Sequence, residues 1–218
     1  MIFKHLLVLL AFLLVLSSAK AGGWISSGGE NFHDGKNPWF LKNEHVRYCL
    51  VHSAQDFSMN ESDVESSVER AIQYWQKEFS KPINHFGKKI NFDLGNNKFL
   101  KTKGACQGDE DLRLLFGYSA LASNEKSFLG KDYKNYLGVT VRTDYDTVWL
   151  KGKGFIYIAG DIGEHQYEAK EDMIKKAWEH KELLDWALIH ELGHVFGIAH
   201  MGNSIMSEIF MDLLISKY

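Results

Sequence analysis

The chain has 218 residues, of which 45% are apolar and 24% are charged, as in ordinary globular domains. This composition excludes a disordered chain, a collagen-like fibre and a polytopic membrane protein, and the length fits one domain or at most two small ones. The 25 Lys and Arg residues against 28 Asp and Glu residues give a net charge of −3, so the charge balance indicates no nucleic-acid partner.

Residues 1–21 have the features of a secretory signal peptide. Lys4 precedes an unbroken apolar run from Leu6 to Leu16, and small residues stand at Ala19 and Ala21. A membrane anchor is the weaker alternative, because a membrane span needs about 20 apolar residues. We therefore expect cleavage after Ala21, a location that is extracellular or periplasmic, and no stable membrane span in the remaining chain.

Export makes the cysteine count informative. The chain contains two cysteines, Cys49 and Cys106, and an even count in an oxidising compartment favours one disulfide. Two buried free thiols are the alternative. Metal binding by Cys106 is disfavoured, because no second Cys or His stands beside it at ligand spacing.

The mature chain begins with a polar, glycine-rich stretch, residues 22–44, which we expect to be an extended or loosely packed lead-in. His45–Val51 then has strand character. Ser62 with Glu65 forms a capping-box pattern, which predicts the start of a helix. The apolar residues of that helix recur on one face: Val64, Val68, Ala71, Ile72, Trp75 and Phe79.

Four more strands are predicted downstream, and they are Lys89–Leu94, Leu112–Tyr118, Leu137–Thr143 and Phe155–Ala159. Two polar segments without a clear period, Ser119–Asn135 and Asp161–Glu171, are predicted to be loops. This order of strands separated by polar segments predicts that a sheet forms one layer of the domain.

Helical patterning resumes near Asp172 and continues to Phe196, with a break near His180. The segment Ser207–Tyr218 predicts a short terminal helix. A strand, a helix, several strands and then further helices predict a single α+β domain, residues 45–218, with helices packed on a sheet.

The segment from His190 to His200 carries the most informative chemistry of the chain. Residues i and i+4 of a helix lie about 6 Å apart on one face, so His190 and His194 can direct two ring nitrogens at one ion. Zinc binds such nitrogens at about 2.0–2.1 Å. Glu191 emerges beside the pair, where its carboxylate can reach a metal-activated water without becoming a ligand.

His200 can join this pair only if the helix ends first. In a continuous helix it would lie about 240° around the axis from His194, at about 100° per residue. Gly197 stands between them, and glycine readily takes the left-handed conformation that ends helices. Spacing and glycine together predict three converging imidazoles, and the structural alternative is a helix whose buried histidines are merely hydrogen-bonded.

This pattern, His190-Glu191-x-x-His194-x-x-Gly197-x-x-His200 followed by Met206, resembles the metzincin zinc proteases. Among metzincins it is most similar to the matrixins, the matrix-metalloprotease type. Met206 then resembles the methionine of the turn that passes beneath the metal. Considered alone, Met206 would be an ordinary core residue, and only its place after His200 gives it this meaning.

The resemblance extends beyond the zinc segment and implies a fold. Tyr48 in a first strand, the helix that contains Trp75 and the strand Phe155–Ile158 follow in the matching order. A zincin-like domain implies a mixed, mostly parallel twisted sheet of about five strands, with a long first helix, an active-site helix and a short C-terminal helix. Residues 45–218 would then be the catalytic domain.

The resemblance also implies an activity, that of a secreted zinc-dependent endopeptidase that hydrolyses peptide bonds through a zinc-activated water. His190, His194 and His200 would bind one catalytic Zn²⁺, and Glu191 would be the general base. A protein or peptide substrate would pair with an edge strand, here Leu137–Thr143. The alternatives are a secreted zinc-binding interaction module without turnover and a non-peptide hydrolase.

Several features depart from the matrixin pattern. Met201 stands where matrixins usually carry Ser, and the gap from His200 to Met206 is shorter than is typical. No cysteine-bearing pro-segment is visible, so latency through a thiol is not expected. A structural Ca²⁺ or second Zn²⁺ is not assigned to residues, because His165 and Asp161 are more readily explained as surface residues. Cleavage-site specificity and oligomeric state are not readable from the sequence.

Overall fold

The computed structural model describes residues 38–40, 45–80, 97–130, 137–160, 178–201 and 204–207. Several predicted features lie outside these residues. They are the leader, most of the lead-in, the strand Lys89–Leu94, the loop Asp161–Glu171 and nearly all of the terminal helix Ser207–Tyr218.

The described residues form five strands, three α-helices and a short 3₁₀ turn at Tyr118–Ala120. In chain order the main elements are β1 (His45–His52), α1 (Glu61–Phe79), β2 (Lys98–Lys101), β3 (Leu112–Phe116), α2 (Ser123–Leu129), β4 (Gly138–Asp146), β5 (Lys151–Ile158) and α3 (Lys181–Val195).

The strands form one mixed sheet in the order β2-β1-β3-β5-β4. All neighbouring strands are parallel except β4 and β5, which are antiparallel. Strands β3 and β5 lie inside the sheet, and their segments Leu114–Phe116 and Phe155–Ile158 are apolar and buried, as expected where a strand is covered on both faces. The predicted α+β class and the mostly parallel sheet are confirmed.

Strand β4 forms one edge of the sheet, and its two halves differ in environment. Gly138–Arg142 is buried, whereas Thr143–Asp146 alternates between half-buried and exposed residues. The pairing with β5 shifts register between Arg142 and Asp144, as a β-bulge does. The buried half therefore lies along the body of the domain, and the other half projects toward solvent.

The first helix begins earlier than the sequence predicts. Asn60 is the N-cap, and its side-chain Oδ1 accepts a hydrogen bond from the Asp63 amide at 2.9 Å. The predicted capping box on Ser62 is wrong, because the Ser62 hydroxyl donates to Asn60 Oδ1 at 2.7 Å and already belongs to the first turn. The predicted apolar face is buried at Val64, Val68, Ala71, Ile72 and Trp75.

Helix α2 contradicts the prediction of a loop over Ser119–Asn135. Glu125 anchors this short helix, since its carboxylate accepts from the Ala122 amide at 2.5 Å and pairs with Arg113 of β3 at 2.6 Å. Arg113 lies on another element of the fold, so the apolar periodicity of the segment itself does not predict this helix. Strand Lys98–Lys101 was also not predicted, because two lysines in four residues give no apolar alternation.

Helix α1 packs against α3 and fixes its position. The buried indole Nε1 of Trp75 donates to the Ile189 carbonyl at 2.7 Å. Arg70 forms a two-pronged ion pair with Asp185 at 2.7 and 2.8 Å on the outer side of the same contact. Exposed ion pairs contribute little, so the buried apolar face and the Trp75 hydrogen bond set the register of the two helices.

Two aromatic residues of the predicted lead-in, Trp39 and Phe40, are buried in the core. The Trp39 amide donates to the carbonyl of Val195 at the end of α3, at 2.9 Å. Its indole lies against β5 where Gly154 has no side chain, because a Cβ there would be 2.8 Å from Trp39 Cη2. This segment therefore connects β5 to the C-terminal end of α3.

Cys49 of β1 is disulfide-bonded to Cys106, which lies 57 positions further along the sequence, and their Cα atoms are 5.5 Å apart. The bond links β1 to the loop that precedes β3. Among the described helices, none is both long and apolar enough to cross a membrane.

Replacing both cysteines by serine should lower the free energy of unfolding by about 4 kcal/mol, because the cross-link closes a long loop in the unfolded chain. Urea unfolding of the C49S/C106S variant and of the wild type measures the difference. The wild type under reducing conditions is the matched control and should resemble the variant. Equal urea midpoints, or two reactive thiols in the unreduced unfolded chain, would contradict the pairing.

Candidate metal centre

Three histidine rings converge at the C-terminal end of α3. His190 and His194 lie one turn apart on the helix, and His200 follows it. One ring nitrogen from each residue lies within 4.8 Å of the other two. The ring centroids are 4.8 to 5.3 Å apart. The structure therefore brings together all three residues that the spacing predicts.

The helix ends where the sequence indicates, at a glycine. Gly197 has φ +76°, its amide donates to the His194 carbonyl at 2.9 Å, and the Ile198 amide donates to the Gly193 carbonyl at 2.9 Å. These two hydrogen bonds are those of a Schellman motif with Gly197 at C′. The reversal turns the chain back, and His200 reaches the side of the helix on which the other two rings lie.

Backbone carbonyls orient the first two rings. The Nδ1 atom of His190 lies 2.7 Å from the Ile205 carbonyl oxygen, and that of His194 lies 2.7 Å from the Ile198 carbonyl oxygen. A carbonyl can only accept, so each Nδ1 carries a hydrogen and each neutral ring has its lone pair on Nε2. Such second contacts are typical of metal-binding histidines.

The environment of these rings favours the neutral form and a bound cation. Burial lowers the pKa of His190 to about 4 and lowers that of His194 well below its ordinary value. The two Nε2 atoms are 3.2 Å apart, with lone pairs and no proton between them. Nitrogens bound tetrahedrally to one zinc ion at 2.0–2.1 Å would be about 3.3 Å apart. The donor set therefore fits zinc.

Glu191 is fully buried beside these ligands. Burial raises the pKa of its carboxyl group to about 8, although a hydrogen bond from Thr140 acts in the opposite direction. The Thr140 hydroxyl lies 2.6 Å from Oε2 of Glu191. The other oxygen, Oε1, is buried and has no hydrogen-bond partner in the described part of the chain. Thr140, on β4, is the residue of this site that sequence reasoning missed.

Met206 lies against α3 beneath the histidines and is completely buried. Gly193 makes this approach possible, because a Cβ there would lie 2.8 Å from Met206 Cε and 2.8 Å from Trp75 Cζ2. The short loop before it is closed by a hydrogen bond from the Met201 amide to the Met206 carbonyl at 2.9 Å. This packing fixes the turn whose Ile205 carbonyl orients His190.

A second group, formed by Cys49, Cys106 and Glu110, also has its side-chain atoms close together. Its two sulfurs are joined in the disulfide, so it does not provide thiolate ligands. His165 and Asp161, considered for a structural ion, lie outside the described residues.

A mixed, mostly parallel sheet, with two histidines on the last described helix and a third that follows the helix and joins them, defines the zincin-like class of zinc hydrolases. The matrixin family model matches residues 38–215, and the chain belongs to the matrixin family. No curated protein matches the chain. Membership makes it a zinc metalloprotease at the level of the family, with a catalytic zinc ion and with peptides or proteins as substrates.

Substitution Gly193→Ala should destabilise the protein, although alanine is about 1 kcal/mol better than glycine in a helix interior. The new methyl group would collide with Met206 and Trp75. Thermal unfolding of the metal-free variant measures the effect. A smaller partner, in the double variant G193A/M206A, should recover part of the loss if the collision is the cause. An unchanged or higher melting temperature in G193A would contradict the packing.

The metal-free protein should lose stability as the pH falls from about 6.5 to about 4. His190 has a lowered pKa in the folded state, so the unfolded chain binds the proton first and is favoured, by up to about 1.4 kcal/mol per pH unit for each such ring. The raised pKa of Glu191 contributes with the opposite sign above about pH 4.5, so the contribution of the ring is read from the difference between variants. Urea unfolding in a chelator at several pH values measures this slope. His190→Asn should have a shallower slope, and equal slopes would contradict the buried neutral ring.

Proposed function

We propose that the chain is a secreted zinc-dependent endopeptidase whose general base is Glu191. The observation that carries the proposal is the convergence of three imidazoles beside the buried carboxyl group of Glu191. A carboxylate is costly to bury, and metal binding by the three histidines does not need it. Perturbed groups of this kind cluster at catalytic sites.

His190, His194 and His200 would hold the ion. A structural zinc site usually has four protein ligands, whereas a catalytic site has three and leaves a position for water or substrate. The group found among the described residues has three members. When bound there, zinc would lower the pKa of a water molecule and polarise the scissile carbonyl.

Glu191 would move the proton that the reaction requires. Its carboxylate accepts a proton from the attacking water, whose oxygen bonds to the carbonyl carbon of the scissile peptide. The protonated carboxyl group then gives that proton to the leaving nitrogen as the carbon–nitrogen bond breaks. The base returns to its ionised form, and one water molecule has been consumed for each bond hydrolysed.

Strand β4, the edge strand of the sheet among the described residues, is the proposed substrate-binding strand. An extended peptide can pair with an exposed sheet edge through its main chain, which is the usual mode of β-augmentation. The buried half of β4 lies beside α3, as the contact between Thr140 and Glu191 requires. A peptide paired with this half would pass next to the base and the three rings.

Secretion is proposed from the leader at residues 1–21, with cleavage after Ala21. The disulfide between Cys49 and Cys106 supports the same location, because such bonds persist in oxidising compartments.

Substitution Glu191→Ala should abolish peptide hydrolysis and leave zinc binding intact, because the residue moves protons and is not a ligand. We expect a loss of at least about 10²-fold in kcat, measured on a mixed peptide library with zinc content determined for the same sample. Glu182→Ala, on the exposed first turn of α3, is the matched control and should keep full activity.

His200→Ala distinguishes the ligand set from the base and should lose zinc and activity together. Full activity in E191A would remove Glu191 from the mechanism. Zinc bound stoichiometrically by a wild type that cleaves nothing in the library would instead support the interaction module without turnover.

A further inference from the structure

Thr140 occupies an unusual place between the sheet edge and the active-site helix. Its side chain is buried, and its hydroxyl contacts two oxygens of one residue, Glu191. The distance from Oγ1 to Oε2 is 2.6 Å, and that to the Glu191 main-chain oxygen is 2.9 Å. Both contacts span 51 positions of sequence, so they exist only because the fold brings β4 against α3.

The hydroxyl of Thr140 can serve both forms of the carboxyl group. A hydroxyl has one hydrogen to donate and can also accept. It can donate to Oε2 when Glu191 is ionised. When Oε1 takes up a proton, Oε2 remains an acceptor, and the hydroxyl continues to donate to it. The carboxyl group need not move between the two forms, because one fixed oxygen satisfies both.

The contact with Thr140 gives the two carboxyl oxygens of Glu191 different environments. Oε2 is bonded to Thr140, while Oε1 has no hydrogen bond within the described residues. A glutamate side chain has several rotatable bonds, and a single strong contact at one oxygen restricts where the other can point. Preorganisation of this kind places a catalytic group without any cost at the moment of reaction.

We propose that Thr140 is the positioning residue for Glu191, holding Oε2 so that Oε1 remains for the proton of the attacking water. The proposal rests on the proposed function. Because Thr140 belongs to β4, the strand proposed to pair with the substrate, the same hydroxyl would also align the base with the bound peptide. A merely structural threonine, in contrast, would fill space and could be replaced by valine.

The test compares three variants of the zinc-loaded full chain. Thr140→Val keeps the shape and removes the hydroxyl, and Thr140→Ser keeps the hydroxyl. Thr102→Val is the matched control, since the Thr102 hydroxyl lies outside the site and contacts the Tyr48 carbonyl at 3.3 Å. Steady-state cleavage of one peptide from the library gives kcat and KM for each variant, and zinc content is measured in parallel.

We expect T140V to lower kcat about ten- to hundredfold, which corresponds to the usual contribution of a hydrogen bond to a charged group. KM and zinc content should stay near the wild-type values, T140S should recover most of kcat, and T102V should resemble the wild type. A wild-type kcat in T140V would overturn the proposal. An equal loss in T140S, or a change in KM alone, would overturn it too.

A second measurement does not depend on turnover. The unfolding free energies of metal-free T140V, E191M and the double variant form a double-mutant cycle. The proposal requires that the two single effects are not additive, and additivity would overturn it. Coupling in a wild type that cleaves no peptide would refute the proposed function and the positioning role together, while leaving the hydrogen bond as a structural contact.

Discussion

The reversal of the chain at Gly197 is the constraint on which the rest of the site depends. A helix that continued would carry His200 to the opposite face, and a two-ring site would remain. The same reversal presents the Ile198 carbonyl to Nδ1 of His194. One backbone conformation, open to glycine because φ is positive, therefore returns the third ring and also orients the second.

The convergence of the three histidines could be predicted from the sequence, because they are close in the chain and helix geometry is regular. The contact between Thr140 and Glu191 could not be predicted, because it depends on how β4 lies against α3. Helix α2 was missed for a related reason, since Glu125 is held by Arg113 on the preceding strand, β3. Apolar periodicity predicts helices and strands that bury one apolar face. It does not predict a short element that is held by a single contact with another element.

The site combines features that would each weaken an ordinary core. Two imidazole lone pairs face each other, and a carboxyl group lies fully buried with one oxygen lacking a hydrogen bond among the described residues. Local conflicts of this kind are expected at functional sites, where the surrounding fold compensates for them. Here the compensation comes from the apolar packing of α1 on α3 and from the buried aromatic segment at Trp39.

The packing of Met206 against Gly193 has a consequence for oxidative damage. Conversion of a methionine to its sulfoxide adds a polar oxygen to the sulfur, and the Met206 sulfur already lies so close to Gly193 that a Cβ there would collide with it. Because the side chain is fully buried, peroxide can reach it only when Met206 separates from α3. Met201 is partly exposed and would react first. Sulfoxide at Met206 would therefore identify molecules in which the packing of Met206 against α3 had been lost.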